Sequence, residues 1–451
     1  MLIATNPYNG ARLHEFSPLD ERATSTTIAA ANTAFQSWGK TSFTERAEVL
    51  RKVAANLREK KAELAELMAL EMGKPVKEGG PEVEKAAWCA EYYAEHAEEY
   101  LAREVLPSDA TLSYVCYQPL GTILGILPWN APLWLASRFF APALMAGNTC
   151  VLKHDPHVPG CAAAIEDVFR DAPQGIFRNL PLETPQVEQA IRDQGIAAIS
   201  FTGSAAGGRK VAAMAASELK PAVLELGGSD PCIVLKDADL EAAADIAVLS
   251  RIINAGQSCI AAKRIIVESA VYETFVDMLL ARLSKLKLGD PLQTDTDVGP
   301  IARVDLRQNL HRQVTETIAA GARCLLGGVL PQGEGFFYPV TLLEAVTPDM
   351  CSFREETFGP VMSVTKAENL SEALMLANDT EYGLGSSIWT KNADVAEAVA
   401  MELNAGQVAI NGIVKTDPRL PSGGIKNSGY GRELGPQGIK EFVNAKQVWI
   451  K

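Results

Sequence analysis

The sequence predicts an α/β protein built on parallel sheets, and three observations carry that prediction. Between residues 121 and 235, short β-branched runs alternate with amphipathic helical runs, the pattern of a parallel sheet covered on both faces. A second alternating block runs from about 240 to 412. At 451 residues the chain is too long for one ordinary core, and 47% hydrophobic with 22% charged residues is a globular composition, so two or three domains are expected.

The opening residues, Met-Leu-Ile-Ala-Thr-Asn-Pro, read as a short strand with no basic-then-apolar leader. Residues 24–100 are helix-rich. "TERAEVLRKVAANLREKKAELAELMALEMGK" places Val49, Val53, Leu57, Leu64 and Leu67 at helical spacing and ends at Gly73. "TLSYVCYQPLG", 111–121, is β-branched and aromatic, hence a strand. The alternating block then gives strands at 122–127, 149–153, 197–201, 223–226 and 231–235. Helices at 133–146, 160–170, 184–193 and 207–217 fill the gaps. The second block carries a helix near 271–287 and strands at 264–267, 361–364 and near 406–412. The tail "NAKQVWIK" is strand-like. It and the strand at 111–119 are isolated, so they are expected to pair with each other and then with another subunit, because an exposed edge is a pairing site.

The net charge of −13 argues against nucleic acid and acidic membranes as partners, since both need a basic patch. No apolar run approaches membrane-spanning length. The eight cysteines are scattered without a Cys-x-x-Cys pair, as expected of reduced thiols in a cytoplasm. His154 and His157 lie beside Asp155 in a Pro-flanked stretch that reads as a surface loop, and no metal site is expected.

One stretch demands chemistry: "NAGQSCIAA", Asn254 to Ala262. Its cysteine, Cys259, is either a buried inert thiol or a nucleophile. A nucleophile needs an electropositive setting, an oxyanion site and usually a base. "LPWNAPL" offers Asn130 at a strand-to-helix junction, as a donor to an oxyanion or as a plain helix cap. "LELGGSDP" puts Glu225 in an apolar strand before a Gly-Gly turn, either a desolvated base or a solvated strand end. "SFTGSAAGGRK" opens a small-residue helix whose N-terminus can take a phosphate, although it is no G-x-G-x-x-G loop. Lys153, closing "TCVLK", could reach a ribose hydroxyl in the same crevice. "REETFGPV" joins paired acids to a rigid turn, or is a charged loop.

Taken in order, "PWN" at 128–130, "LK" at 152–153, "FTGS" at 201–204, "ELGG" at 225–228, "GQSC" at 256–259, "EETFGP" at 355–360 and "GGIKNSGYGRE" at 423–433 resemble the aldehyde dehydrogenase superfamily over essentially the whole chain. The resemblance implies a Rossmann-like dinucleotide-binding domain (1–105 and 120–226), a catalytic domain (227–420) and a strand arm (106–119 and 421–451) that binds another subunit in a homodimer or homotetramer. It implies oxidation of an aldehyde to an acid with NAD or NADP. By position it makes Cys259 the nucleophile, Glu225 the base that activates water, and Asn130 with the Cys259 N–H the oxyanion hole. Lys153 and Glu356 would hold the cofactor riboses and Ser204 the pyrophosphate. Phe358 would pack by the nicotinamide ribose, and Trp129, Gly203 and Gly227 would line the cofactor channel.

Within the superfamily the sequence is most similar to the shorter bacterial succinate-semialdehyde dehydrogenases, through "VLKH", "LELGGSDP" and "AAKR". That similarity implies oxidation of succinic semialdehyde to succinate. Another small aliphatic or aromatic aldehyde is the alternative. A CoA-acylating enzyme, an esterase or a non-catalytic structural protein fits less well with Cys259 and Glu225 both present. Arg138, eight residues after Asn130, matches a carboxylate-binding arginine of that group. Two positions depart from it: Ile253 stands where many members carry a second arginine, and Ser422 replaces an aromatic residue. Arg419 is the candidate for the missing charge. Pro156 replaces a glutamate common in NAD-preferring members, which admits NADP, while Asp155 could restore some repulsion, so the cofactor preference stays open.

Overall fold

The computed structural model describes residues 1–451. Four helices open the chain after a small hairpin: α1 (Glu21–Trp38), α2 (Phe43–Glu59), α3 (Lys61–Met72) and α4 (Val76–Tyr100). The helical stretch expected to run unbroken to Gly73 divides at Lys60, whose φ of −94° and ψ of 13° leave the α-helical range. The break lets α2 and α3 each lie against α4. Gly73, at φ +80°, closes α3 in the left-handed conformation that glycine adopts without strain. The buried stripe of α4 includes Ala86, Ala87, Ala90 and Ala94, small enough for close packing on α5 (Pro132–Met145), which is buried along its whole length.

A six-stranded sheet carries five parallel strands. In spatial order it reads Gly429–Tyr430, Ala222–Glu225, Ile196–Thr202, Thr122–Leu127, Thr149–His154, Phe177–Asn179, with only the first antiparallel to its neighbour. Every residue of Thr122–Leu127 is buried, as a central strand covered on both faces requires. The chain leaves that strand to one side, for Thr149–His154, and later returns to the other, for Ile196–Thr202. Ligand crevices form at the carboxyl ends of such a reversal.

A seven-stranded sheet follows. Its order is Arg323–Leu326, Thr341–Glu344, Val361–Ala367, Ala262–Glu268, Asp230–Val234, Gly385–Trp389, Gln407–Ile410, parallel except for the first pair. A core of its own, with Ile233, Ile265, Val364 and Phe353, lies around it. The chain crosses between the sheets just after Glu225 and comes back when Gly429 pairs with Glu225.

The two isolated strands do pair: Val443–Ile450 runs antiparallel to Leu112–Pro119 in unbroken register, with Glu104–Val105 on the far side. Asn148 fastens this arm to the first sheet. Its side-chain oxygen accepts from the Leu120 and Gly121 N–H groups at 2.8 and 3.0 Å, and its amide donates to Phe442 O at 2.9 Å. Asn148→Ala strands three backbone groups, two of them fully buried, so a loss of about 2–3 kcal/mol is expected. A clearly lower thermal midpoint, scanned at one rate beside the parent, checks it; an unchanged midpoint would refute this role.

Candidate active site

The site is built where the ends of the first sheet meet the start of the second. Residues 254–256 form a tight left-handed turn: Asn254 has φ 54°, Ala255 φ 52° and Gly256 φ 75°. At Gly256 a Cβ would fall 2.3 Å from Gly359 O, so only glycine fits. The two left-handed non-glycine residues are strained and are held by hydrogen bonds. The Asn254 N–H donates to Glu78 at 2.7 Å, and its side-chain amide donates to Asn130 O at 2.7 Å and Gln257 O at 3.2 Å. Gln257 donates back to Asn254 O and accepts from the Ala302 N–H. This framework presents Cys259, half-buried, two residues on.

Asn130 sits at the carboxyl end of Thr122–Leu127, as expected, and its amide donates to Gln257 O at 3.1 Å. Its carbonyl accepts from Lys74 at 3.1 Å, and Lys74 is ion-paired with Glu82. Glu82 also accepts from the Leu133 and Trp134 N–H groups at 3.0 and 3.2 Å, a carboxylate on the positive end of α5. Asn130, Trp134 and Arg138 follow at intervals of four, so they share one face of α5 and its N-terminal junction.

Glu225 ends its strand fully buried. Its Oε2 accepts from Arg138 at 3.1 Å, and Arg138 also pairs with Glu433. Burial pushes the Glu225 carboxyl up to about 7, against the pull of Arg138. The other oxygen, Oε1, accepts no hydrogen bond and faces Gly423, where a Cβ would come within 2.9 Å. Burial pushes the Cys259 thiol up to about 12, with Lys263 and Arg138 pulling it down. The resting sulfur is therefore a thiol. Lys263 donates to the Ser258 and Cys259 carbonyls at 2.9 and 2.6 Å and stands 3.5 Å from Glu356.

The remaining expected positions keep contacts of their own. Trp129 meets Phe358 edge to face at 5.9 Å. Glu356 accepts from the Gly228 N–H at 3.1 Å, and a Cβ on Gly227 would fall 2.3 Å from its carboxylate. Ser204 caps the helix Ala205–Ser217 by accepting from the Gly207 N–H, with Gly203 joining strand to helix. Lys153, next to last in its strand, is 6% exposed, and its ammonium donates to no protein acceptor. Lys153, Gly227 and the helix N-terminus fit a bound dinucleotide: an orphaned cation, a cleared approach and free N–H groups.

Two expected substrate contacts are paired with carboxylates of the protein. Arg138 is 3% exposed, and its guanidinium is taken by Glu225 and Glu433, because two buried carboxylates need a cation more than a solvated ligand does. Arg419 lies at the rim, bound to both oxygens of Asp417 at 2.8 and 2.6 Å and over the Trp88 ring. Asp155 turns its carboxylate onto His157, to the backbone N–H at 3.0 Å and the ring at 2.7 Å. Sequence reasoning missed Glu433, Lys263, Lys74, Glu82 and Asn254. Their one signal was charge or amide inside apolar surroundings.

A sequence profile of the aldehyde dehydrogenase family matches residues 2–448. The chain belongs to the aldehyde dehydrogenase family. This aldehyde dehydrogenase is 47% identical, over the full length of both chains, to a probable succinate-semialdehyde dehydrogenase [NADP(+)] of Synechocystis sp.. It is 45% identical to the succinate semialdehyde dehydrogenase [NAD(P)+] Sad of Escherichia coli, over 99% of this chain and 97% of that one. Among solved structures, succinic semialdehyde dehydrogenase from Streptococcus pyogenes in complex with NADP+ superposes with a TM-score of 0.97 at 35% identity, covering 99% of each chain.

Removing Arg138 takes a cation from beside Glu225 while leaving Glu433. Arg138→Gln should therefore raise the Glu225 pKa above about 7 and move the acid limb of the pH–rate profile upward by about one unit or more. An acid limb that stays in place would separate Arg138 from the base.

Proposed function

We propose that the enzyme oxidises succinic semialdehyde to succinate, with Cys259 as nucleophile and Glu225 as general base. The reading is supported by a Glu225 carboxyl raised to about 7 whose charge acts on Cys259, and by the Asn130 amide on the Gln257 carbonyl, two residues before Cys259. The names of the full-length relatives support the substrate.

The thiol gives up its proton to solvent before it attacks, and the charges of Lys263 and Arg138 favour the thiolate. The thiolate adds to the aldehyde carbon. The oxygen gains charge and is met by the Asn130 amide and the Cys259 N–H; one such donor is worth about 10²–10³ in rate. Lys153 and Glu356 would hold the cofactor riboses, Ser204 the pyrophosphate and Phe358 the nicotinamide ribose, with Trp129, Gly203 and Gly227 lining the channel. When bound, NAD or NADP supplies the hydride acceptor that turns the adduct into a thioester on Cys259. Glu225 then takes a proton from water, which attacks the thioester and releases the acid. A covalent intermediate splits one hard step into two easier ones.

The domain division proposed is 1–105 with 120–226 for the cofactor and 227–420 for catalysis, supported by the two sheets. The arm, 106–119 and 421–451, is proposed to join copies into a homodimer or homotetramer. The outer edge of Val443–Ile450 has no partner strand in the chain, and Trp449 and Ile450 are exposed. A cytoplasmic site is proposed on the eight free thiols; no helix is long and apolar enough to cross a membrane.

Glu225→Gln should give a burst of one NAD(P)H per site and then a steady rate down by at least about 10²-fold. Cys259→Ala should give neither burst nor turnover. Rapid-mixing absorbance checks both, and a full steady rate in Glu225→Gln would overturn the base assignment. In the parent, turnover should rise with pH through about 7, since the carboxylate is the working form. Removing residues 443–451 should reduce the assembly mass measured by light scattering.

A further inference from the structure

A substrate with a distal carboxylate brings a negative charge into the crevice, and a desolvated anion has to be met by a cation. Of the cations already described, Lys153 is assigned to the cofactor and the others are occupied. Arg138 is held by Glu225 and Glu433, and Arg419 by Asp417. Lys74 pairs with Glu82, and Lys263 is committed to backbone carbonyls beside Glu356.

Lys85 is different. It projects from α4 one turn after Glu82. Its ammonium lies 4.1 Å from the centre of the Trp134 ring and makes one hydrogen bond, to Thr416 Oγ1 at 2.9 Å. The Trp134 indole N–H donates to the same hydroxyl oxygen at 3.0 Å. An aromatic face and a hydroxyl position a cation without neutralising it. Two of its three donors remain free. Burial holds the ammonium down to about 8; Arg138 pushes the same way, while Cys89, Glu82 and Asp417 push back without contact. Neighbouring Lys415 is exposed and solvated.

The position is right for a substrate tail. Trp134 is four residues after Asn130, on the same face of α5 as Arg138. The loop carrying Thr416 starts at Gly412–Val414, which share a small cavity with Ile260, the residue after Cys259. It ends at Ser422, bridged to Glu433 by the Ser422 N–H at 2.7 Å and the Glu433 N–H at 2.8 Å. Lys85 thus stands against a loop that touches the nucleophile segment at one end and the Arg138–Glu433 pair at the other.

We propose that Lys85, held between the Trp134 ring and the Thr416 hydroxyl, is the residue that binds the distal carboxylate of the substrate. This rests on succinic semialdehyde as the substrate read above. The full-length enzyme carrying Lys85→Met is compared with the parent on succinic semialdehyde and on butanal, an uncharged aldehyde of the same chain length. The ratio of kcat/KM for the acid-bearing aldehyde to that for butanal should fall about 10- to 100-fold, the range of one hydrogen bond to a charged group. The fall should lie mainly in KM, and Lys85→Arg should recover most of it. Succinate, as an inhibitor of butanal oxidation, should weaken by a similar factor. Equal losses on both aldehydes, or an unchanged ratio, would overturn the assignment. A parent enzyme with no preference for succinic semialdehyde over butanal would instead overturn the substrate reading, a separate result.

Discussion

The site depends on one buried guanidinium. Arg138 neutralises two carboxylates that the fold brings together from distant parts of the chain, Glu225 at the end of a central strand and Glu433 from the returning C-terminal segment. Two buried carboxylates with one cation carry an excess negative charge, and burial of that charge is costly. The least costly outcome is for one carboxyl to titrate near neutrality, as Glu225 does. Burial first, offset by Arg138 and reinforced by the charge of Glu433, makes Glu225 able to give and take a proton.

The second constraint is mechanical. A strained left-handed turn aims the segment before Cys259, and strain of this kind persists only where its surroundings over-determine it. Asn254 is gripped by Glu78, Asn130 and Gln257, and Lys74 and Glu82 tie the same carbonyl of Asn130 to the start of α5. The nucleophile and the amide donor are thereby fastened to one another through shared backbone groups, so a shift in one carries the other along.

The fold was legible because parallel strands buried on both faces write themselves as short apolar runs between amphipathic helices; 122–127 matches residue for residue. The division of the first helical stretch at Lys60 was not legible, because both halves carry the same periodicity and the break is set by packing on α4. In the site, Cys259, Glu225 and Asn130 stand in short motifs at strand ends and could be read. Arg138 was visible but its partners were not: Glu433 is far away in the chain, and only the pairing of Gly429 with Glu225 brings it close. Lys85 was hidden for the same reason. On α4 it looks like one more charge on a solvated face until Trp134 and Thr416 fold over it.

The order in which these parts are synthesised gives the return of Gly429–Glu433 a further meaning. A nascent chain delivers Glu225 first, then Cys259, and only much later the segment that closes the edge of the first sheet and supplies Glu433. Until that segment arrives, the strand ending in Glu225 has an open edge and Arg138 has one carboxylate partner instead of two. Assembly of the catalytic charge balance is therefore coupled to late chain elongation.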